Sequence, residues 1–336
     1  APANGVAPDD YHATTIFPEY FKINGSWQLA RESRMDCVAV LSRGVIEVKE
    51  FRRLKKGDLV AVGRSEDGSN GIYVHATAFT QPESQGEESF AFRQGRSRET
   101  AYAMDYDSIY DLLRYEKEHG GHITWVLGPA CCFDWDARHA FAKLVHGGYV
   151  QAVLAGNALA THDLEAGYRS TALGQDIYTQ ISQPGGHYNH IDTINQVRKA
   201  GSIEKFVAEQ NIQDGIMAAC VQCKVPYVLT GSIRDDGPLP EVYADVYEGQ
   251  NAMRDQVKKS TTVICLATTL HSIATGNMTP SYRVLADGTV RPVYFYSVDV
   301  SEFAVNKLRD RGSLAVKTIV TNVQDFIVNV QRGLSL

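Results

Sequence analysis

From residue 106 to its C-terminus, the sequence alternates between helix-like segments and short apolar runs typical of buried strands. The helix-like segments carry apolar residues at helical spacing, and two of them end at Gly120-Gly121 and Gly147-Gly148. The apolar runs lie at residues 122–127, 150–155, 227–230, 262–267, 293–298 and 316–320. Since strands that alternate with helices are joined by crossovers, this pattern predicts an α/β fold with a doubly wound parallel sheet.

The first 100 residues follow a different pattern. Short β-type runs at residues 37–41, 45–48, 58–62 and 71–76 are separated by turn signals. A polar stretch at residues 81–98 has the composition of a linker. A chain of 336 residues is long enough for two domains. We therefore expect a small β-rich module with its linker over residues 1–100 and an α/β domain over residues 101–336.

Charge and hydropathy narrow the class of partner. The chain has 33 Lys and Arg residues against 39 Asp and Glu residues, a formal net charge of -6. Nucleic-acid binding needs a concentrated basic face instead. No apolar run approaches the roughly 20 residues of a membrane span, and the start at Ala1 does not resemble a signal peptide. We expect a cytoplasmic protein that binds a small molecule, and neither nucleic acid nor a membrane.

The six cysteines are scattered, mostly in apolar runs, which favours buried reduced thiols over a disulfide framework. Cys220 and Cys223 have the spacing of half a zinc site, but no second pair of cysteines or histidines completes it. We therefore predict structural cysteines and no metal.

Small and polar residues follow four of the predicted strands. In a doubly wound sheet, ligands bind where the carboxyl ends of the strands meet helix N-termini. The residues at these positions are Asn157 and Ala158, the segment 231–240, the run Thr268, Thr269, Leu270 and His271, and the pair Asp299 and Val300.

Two of these positions allow two interpretations each, and a third favours one kind of ligand. Asn157 either accepts a left-handed backbone in a tight turn or contacts a ligand. Thr268 and Thr269 either cap a helix or present its free amides to a pyrophosphate. Asp299 ends a late strand, where a carboxylate can accept hydrogen bonds from the hydroxyls of an adenosine ribose and would repel a 2′-phosphate. This position favours NAD over NADP.

The segment Arg234-Asp235-Asp236 points to a charged ligand, because three charges between Gly and Pro are costly unless solvated or bound. We expect Arg234 to bind a substrate carboxylate and Asp235 to bind an amino group or act as a base. His187 and His190 are candidates for proton transfer, or they bond only to backbone at a helix start. The same alternatives hold for His162 and His271.

Several familiar motifs are missing from the sequence. The glycine-rich dinucleotide fingerprint GxGxxG is absent, and so are Walker A, HExxH and GxSxG. These absences count against P-loop hydrolases, zincins and α/β-hydrolases.

The sequence resembles the LOR/SDH conserved-domain family, which includes archaeal-type ornithine cyclodeaminases and the cyclising halves of bifunctional arginine dihydrolase proteins. The resemblance covers nearly the whole chain, including residues 11–15 and 34–37 of the β-rich module. The main matching blocks are LAGNALATHD at 154–163, GHYNH at 186–190, GIM at 215–217, VPYVLTGSIRDDGPLPEV at 225–242, LATTLHSIATGNM at 266–278 and KLRDRGS at 307–313.

The resemblance implies a Rossmann-like sheet, related to that of deoxyhypusine synthase, with tightly held NAD. It implies a homo-oligomer, and it implies that a further segment or domain of the same polypeptide precedes this chain. The dinucleotide contacts that it implies are Asn157, Ala158, Asp236, Thr268, Thr269, Leu270, His271, Asp287, Asp299 and Val300.

The activity that the resemblance implies is ornithine cyclodeamination, in which L-ornithine becomes L-proline and ammonia through transient oxidation by NAD. In that reaction we assign substrate binding to Arg234 and Asp235, and proton transfer to His187 or His190. Two alternatives remain open. One is an amino-acid or opine-type NAD-dependent dehydrogenase, and the other is a non-catalytic NAD-binding half of a bifunctional enzyme.

Overall fold

The computed structural model describes residues 1–79, 103–235, 237–285, 287–302, 304 and 315–336. These residues fall into two compact units. The first unit holds the described residues within Ala1–Gly95, Gly276–Tyr294 and Asp310–Val316. The second holds those within Arg96–Thr275, Phe295–Arg309 and Lys317–Leu336. The predicted linker at 81–98, residue Asp236 and the matching block at 307–313 lie outside the described residues.

The first unit is built from small antiparallel sheets. Its N-terminal strands are β1 (Glu19–Ile23), β2 (Ser26–Leu29), β3 (Val38–Ser42), β4 (Val45–Lys49), β5 (Leu59–Val60) and β6 (Ile72–Val74). They form two three-stranded sheets with the orders β2-β1-β6 and β4-β3-β5. Side chains from both sheets, including Phe21, Ala39, Ile46 and Ile72, share one buried cluster. The prediction of a small β-rich module is confirmed.

The second unit contains a seven-stranded sheet. Its strands are β7 (Ile123–Leu127), β8 (Ala152–Gly156), β11 (Tyr227–Thr230), β12 (Val242–Tyr243), β13 (Thr262–Leu266), β16 (Tyr294–Asp299) and β17 (Ala315–Val320). Two further strands, β9 (Thr171–Ala172) and β10 (Gln175–Asp176), form a separate hairpin. The sheet order is β12-β11-β8-β7-β13-β16-β17, and the pairs from β12 to β13 are parallel. The predicted doubly wound α/β fold is confirmed.

Helices connect the strands of this sheet and supply its cover. They are α1 (Ala103–Glu118), α2 (Trp135–His146), α3 (Asn157–Arg169), α4 (His187–Ala200), α5 (Ile203–Glu209), α6 (Ile216–Cys223), α7 (Val246–Val257), α8 (Thr269–Met278) and α9 (Val323–Gly333). Short polar side chains start several of them, since the first amides of a helix need acceptors. Asp134, Ser202 and Asp245 accept hydrogen bonds from the first turns of α2, α5 and α7.

A buried ion network fixes three of these helices to one another. The Arg138 guanidinium on α2 is fully buried and donates to the Asp163 carboxylate on α3 at 2.8 Å and to Asp214 at 3.1 Å. Asp163 also accepts from the backbone amides of Ile216 and Met217 at the start of α6. Each buried charge therefore has a partner, as a dry interior requires.

The strand order reverses between β7 and β13, and the backbone there is unusually close. A Cβ atom on Gly128, just after β7, would lie 2.0 Å from the carbonyl oxygen of Ala267, just after β13. The Gly128 amide donates to the Leu266 carbonyl at 2.8 Å, and Ala267 has a left-handed backbone with φ of 47°. Only glycine fits this approach, which brings two strand ends together at the switch point of the sheet.

A hairpin late in the chain belongs to the first unit. Strands β14 (Tyr282–Val284) and β15 (Val290–Pro292) pair there in antiparallel register. Tyr282 is fully buried, and its hydroxyl donates to the carbonyl of Ala30. The chain therefore returns to the first unit at residues 276–294.

The structure rules out one of the two interpretations of Asn157. Asn157 does not occupy a left-handed turn, because it is the first residue of α3 and has no positive φ. All six cysteines are free thiols, and all except Cys223 are buried. Within the described residues, no group of three His, Cys, Asp or Glu side chains could hold a metal ion, and no helix is long and apolar enough to cross a membrane.

Candidate active site

A cavity of about 740 Å³ opens at the carboxyl ends of the central strands in the second unit. The last residues of β7, β8 and β11 border it through Leu127, Gly156 and Thr230. The beginnings of α3 and α8 border it as well. Pockets for cofactors and small ligands have volumes of about 300 to 1,000 Å³ and lie at such switch points.

The start of α3 forms one wall of the cavity. Asn157 and Ala158 line it directly after Gly156. The Asn157 side-chain oxygen accepts two hydrogen bonds within the protein, from the Leu239 amide at 3.0 Å and from the Thr161 hydroxyl at 3.4 Å. These bonds hold the segment that follows β11 beside α3.

The start of α8 forms another part of the wall. Thr268, Leu270 and His271 line the cavity. Nε2 of His271 lies 3.0 Å from the Thr230 hydroxyl, and burial lowers the pKa of His271, although the nearby Asp235 acts in the opposite direction. A Cβ atom on Gly156 would lie 3.1 Å from the His271 ring, so the absence of a side chain at Gly156 leaves room for that ring.

The loop after β11 brings two charged side chains to the cavity. Arg234 and Asp235 both line it. The Asp235 carboxylate accepts from the Ser232 amide at 2.8 Å, and the Ser232 hydroxyl accepts from the Arg234 amide at 3.1 Å. These contacts form a tight turn. Arg234 is an exposed residue at the edge of the cavity.

Two histidines, one on α3 and one on α4, lie side by side in the lining of the cavity. The ring centroids of His162 and His190 are 5.9 Å apart, and both residues line the cavity. Nδ1 of His162 lies 2.9 Å from the carboxylate of Glu165, which is fully buried. Nδ1 of His190 has no hydrogen-bond partner among the described residues.

The remaining lining is largely apolar. It includes Pro129 and Phe133 after β7, Leu173 in the turn between β9 and β10, and Ile191 and Ile194 on α4. Phe133 packs edge-on against the His162 ring at 5.6 Å. Such walls exclude water and strengthen the electrostatic contacts of the few polar groups among them.

The cavity brings together most of the site residues that the sequence predicts. The predicted residues that line it are Asn157, Ala158, His190, Arg234, Asp235, Thr268, Leu270 and His271. Thr269 lies within the α8 turn without lining the cavity, and Asp236 lies outside the described residues.

Four predicted residues lie elsewhere. His187 is exposed at the first position of α4 and packs against Tyr188. Asp299 ends β16 and accepts from the Ser301 amide, and Val300 is exposed beside it. Asp287 lies in the β14–β15 turn of the first unit and accepts from the Thr289 amide. The roles of these residues stay predictions.

Sequence reasoning missed Glu165, Leu173 and the apolar residues of α4. The His162-x-x-Glu165 spacing places both side chains on one helical face, and this signal could have singled out the pair. The approach of Gly128 to Ala267 has no local signature, because it depends on how β7 and β13 pair.

Comparison with known proteins gives consistent matches. A family model described as the C-terminal Rossmann fold of ArgZ-like arginine dihydrolases matches residues 107–330. The ornithine cyclodeaminase of Methanocaldococcus jannaschii is 39% identical over 332 residues, which cover 96% of this chain and 74% of that protein.

Solved structures match the whole chain. A LOR/SDH protein from Methanococcus maripaludis superposes with a TM-score of 0.87 at 36% identity, covering 100% of this chain and 96% of that one. The protein AgrE, solved in a ternary complex with ornithine and NAD⁺, matches with a TM-score of 0.64 at 32% identity, covering 100% of this chain and 45% of AgrE.

Proposed function

Because this chain belongs to the ArgZ-like C-terminal Rossmann family, we propose that it is an NAD-dependent ornithine cyclodeaminase. In this reaction L-ornithine becomes L-proline and ammonia. The observation that carries the proposal is the cavity itself, where the carboxyl ends of three parallel strands meet the start of two helices, an arginine and two histidines. A cofactor site and an amino-acid site therefore share one enclosure.

The residues of the cavity fit NAD. A backbone cradle without side chains lies at Gly128 and Gly156, where added Cβ atoms would meet Ala267 and His271. The α8 N-terminus adds free amides for a pyrophosphate next to Thr268. We assign the dinucleotide contacts to Asn157, Ala158, the 268–271 turn, Asp299 and Val300, with Asp236 and Asp287 as further candidates. When bound, NAD supplies an acceptor for a hydride from the substrate and returns that hydride later, so no net redox change occurs.

The substrate is held by charge. The Arg234 guanidinium can bind the ornithine carboxylate with two parallel hydrogen bonds, as arginine does for planar anions. The Asp235 carboxylate, which accepts from the Ser232 amide, can bind an ammonium group of the same substrate. Together they would fix which end of the amino acid faces the cofactor.

The chemistry on the substrate balances without an external oxidant. After oxidation of the α-carbon, the δ-amine forms a bond to that carbon and the bond to the α-nitrogen breaks. The α-nitrogen leaves as ammonia, and reduction of the cyclic imine gives L-proline. The protein must bind the carboxylate, exclude water and move protons to and from nitrogen, and His190 is a candidate for the last task.

The test is a product assay on the purified protein. We expect a dinucleotide with the mass of NAD to be released on denaturation. L-ornithine should yield equal amounts of proline and ammonia without accumulation of NADH, whereas L-lysine and L-arginine serve as matched controls. Stoichiometric formation of NADH would instead indicate an amino-acid or opine-type dehydrogenase. A bound dinucleotide without any product would indicate a non-catalytic NAD-binding half of a bifunctional enzyme.

Three further parts of the proposal rest on the family alone. We propose a cytoplasmic homo-oligomer that works together with an upstream segment or domain of the same polypeptide. Size-exclusion chromatography with light scattering tests the oligomeric state.

A further inference from the structure

We propose that His162 is the proton-transfer group of the site and that Glu165 is the residue that positions it. The inference rests on the proposed function, because it assigns a residue to that reaction. His162 lies on α3, one turn after the predicted cofactor contacts at Asn157 and Ala158. It lines the cavity, yet only 9% of the residue is exposed to solvent.

Glu165 accepts four hydrogen bonds while fully buried. One carboxylate oxygen accepts from the Thr171 hydroxyl at 2.8 Å and from the Gly174 amide at 3.1 Å. The other accepts from the Leu173 amide at 3.2 Å and lies 2.9 Å from Nδ1 of His162. Backbone amides can only donate, so both oxygens serve as acceptors and Nδ1 of His162 carries a proton.

This arrangement fixes the state of the imidazole. With its proton held on Nδ1, the neutral ring has its lone pair on Nε2, where it can accept a proton. The adjacent carboxylate stabilises the imidazolium that forms when Nε2 becomes protonated. A carboxylate that orients a histidine through Nδ1 is the same arrangement that supports a general base in hydrolytic triads.

The Glu165 carboxylate also holds part of the cavity wall in place. Glu165 holds the turn at Leu173 and Gly174, and the Leu173 side chain lines the cavity. The Thr171 hydroxyl also accepts from the Asn189 side chain on α4 at 2.9 Å. Thus Glu165 links the orientation of His162 to the hairpin and to the helix that carries His190.

The proton balance defines the role. The α-ammonium group of ornithine loses one proton as the α-carbon loses a hydride to the bound NAD, and His162 Nε2 accepts that proton. The α-nitrogen later needs a proton to leave as ammonia, and the same imidazolium returns it. His162 therefore serves both steps at the α-nitrogen. The δ-ammonium group releases two protons to solvent, one before its nitrogen bonds to the α-carbon and one from the new ring nitrogen, and the released ammonia and the proline nitrogen each take up one proton afterwards.

His162 fits this role better than the two histidines that the sequence singles out. His187 is exposed and does not line the cavity. His190 lines the cavity, but its Nδ1 has no partner in the described part of the chain that would fix its tautomer. The other titratable groups near His162 are Asp163, paired with Arg138 on the far side of α3, the Cys132 thiol, and Arg234, Asp235 and His271 around the cavity.

The first test replaces His162 with glutamine and measures kcat, KM for ornithine and NAD content separately. We expect kcat to fall by about 100- to 1,000-fold, as for the loss of a general base, while NAD content stays that of the wild type. His119→Gln, which changes an exposed histidine just after α1, is the matched control and should change kcat less than about 3-fold. If wild-type protein makes no proline, the proposed function fails. If it does and His162→Gln keeps its kcat, this inference alone is overturned.

The second test separates positioning from structure by comparing kcat with KM. In Glu165→Gln the carboxylate that fixes the His162 tautomer is lost, so kcat should fall at least about 10-fold while KM for ornithine and NAD content stay those of the wild type. Thr171→Val removes one bond to Glu165 and leaves the bond to His162, so it should lower stability without lowering kcat to the same extent. An unchanged kcat in Glu165→Gln would contradict the positioning role. If Glu165→Gln does not fold, imidazole is added to His162→Ala instead. The proposal predicts that imidazole restores part of the activity, and no restoration would contradict the role of His162 as the base.

Discussion

Nε2 of His271 lies 3.0 Å from the Thr230 hydroxyl, and this contact joins the start of α8 to the end of β11 across the cavity. The His271 ring occupies the space that a side chain at position 156 would take. A histidine at the start of α8 and a glycine at the end of β8 therefore form one local arrangement.

The first prediction concerns pH and His271. Burial lowers the pKa of His271 below its ordinary value of 6.5, with Asp235 opposing the shift. As the pH falls below about 6.5, the unfolded chain takes up a proton before the folded chain does, so stability is lost. His271→Asn should reduce this loss in urea unfolding between about pH 7.5 and 5.5. The control His119→Asn changes an exposed histidine at the end of α1. A pH dependence in His271→Asn equal to that of wild type would refute the account.

The second prediction concerns the close approach at Gly128. Gly128→Ala would place a methyl group 2.0 Å from a backbone oxygen, and the strands cannot separate without disturbing the sheet. We expect a loss of about 3 kcal/mol in the free energy of unfolding, with weaker NAD retention. Gly201→Ala is the control, because it has a positive φ but open space around its Cβ, and it should cost about 1 kcal/mol. Similar losses in both variants would show that steric contact is not the cause.

The third prediction concerns the substrate carboxylate. Arg234→Gln removes the guanidinium at the cavity edge, and KM for ornithine should rise about 10- to 100-fold, the cost of a charge-assisted hydrogen bond. NAD content should not change. Lys199→Gln removes an exposed cation at the end of α4 and serves as the charge control. An unchanged KM in Arg234→Gln would remove Arg234 from the substrate site.

The fourth prediction concerns the thiols. Burial raises the pKa of Cys131 and of Cys265 to about 12, and the pKa of Cys132 and Cys220 is raised as well. The thiolate is the reactive form, so these cysteines should be inert at neutral pH. In the native protein one thiol per chain, that of the exposed Cys223, should react with a disulfide reagent. Cys223→Ser should abolish the reaction, and rapid labelling of that variant would contradict the burial of the others.

Much of the α/β unit could be predicted from local sequence. The strand at Tyr227–Thr230 has the predicted bounds, and Asp134 caps α2 as its position before an apolar periodic segment indicates. The site loops could also be located, because polar residues directly after buried strands must lie at one edge of a parallel sheet. That reasoning found Arg234, Asp235, His271 and the start of α3.

What the sequence could not supply depends on tertiary contacts. Strand β1 was missed because a run such as Glu19–Ile23 gains its strand character from pairing with β2 and β6. The return of Tyr282 to the first unit follows from its hydrogen bond to Ala30, about 250 residues away. The pairing of His162 with Glu165 is local, but its importance is visible only when Thr171, Leu173 and Gly174 are seen on the same carboxylate.

The most direct test of the central claim follows one atom through the reaction. Purified protein is incubated with L-ornithine that carries deuterium on the α-carbon, and the products are examined by mass spectrometry and NMR. Oxidation and reduction at the same carbon by one retained NAD predict L-proline that keeps the deuterium on its α-carbon, together with an equal amount of ammonia. Proline that has lost the deuterium, deuterium released in free NADH, or no proline at all would contradict the account.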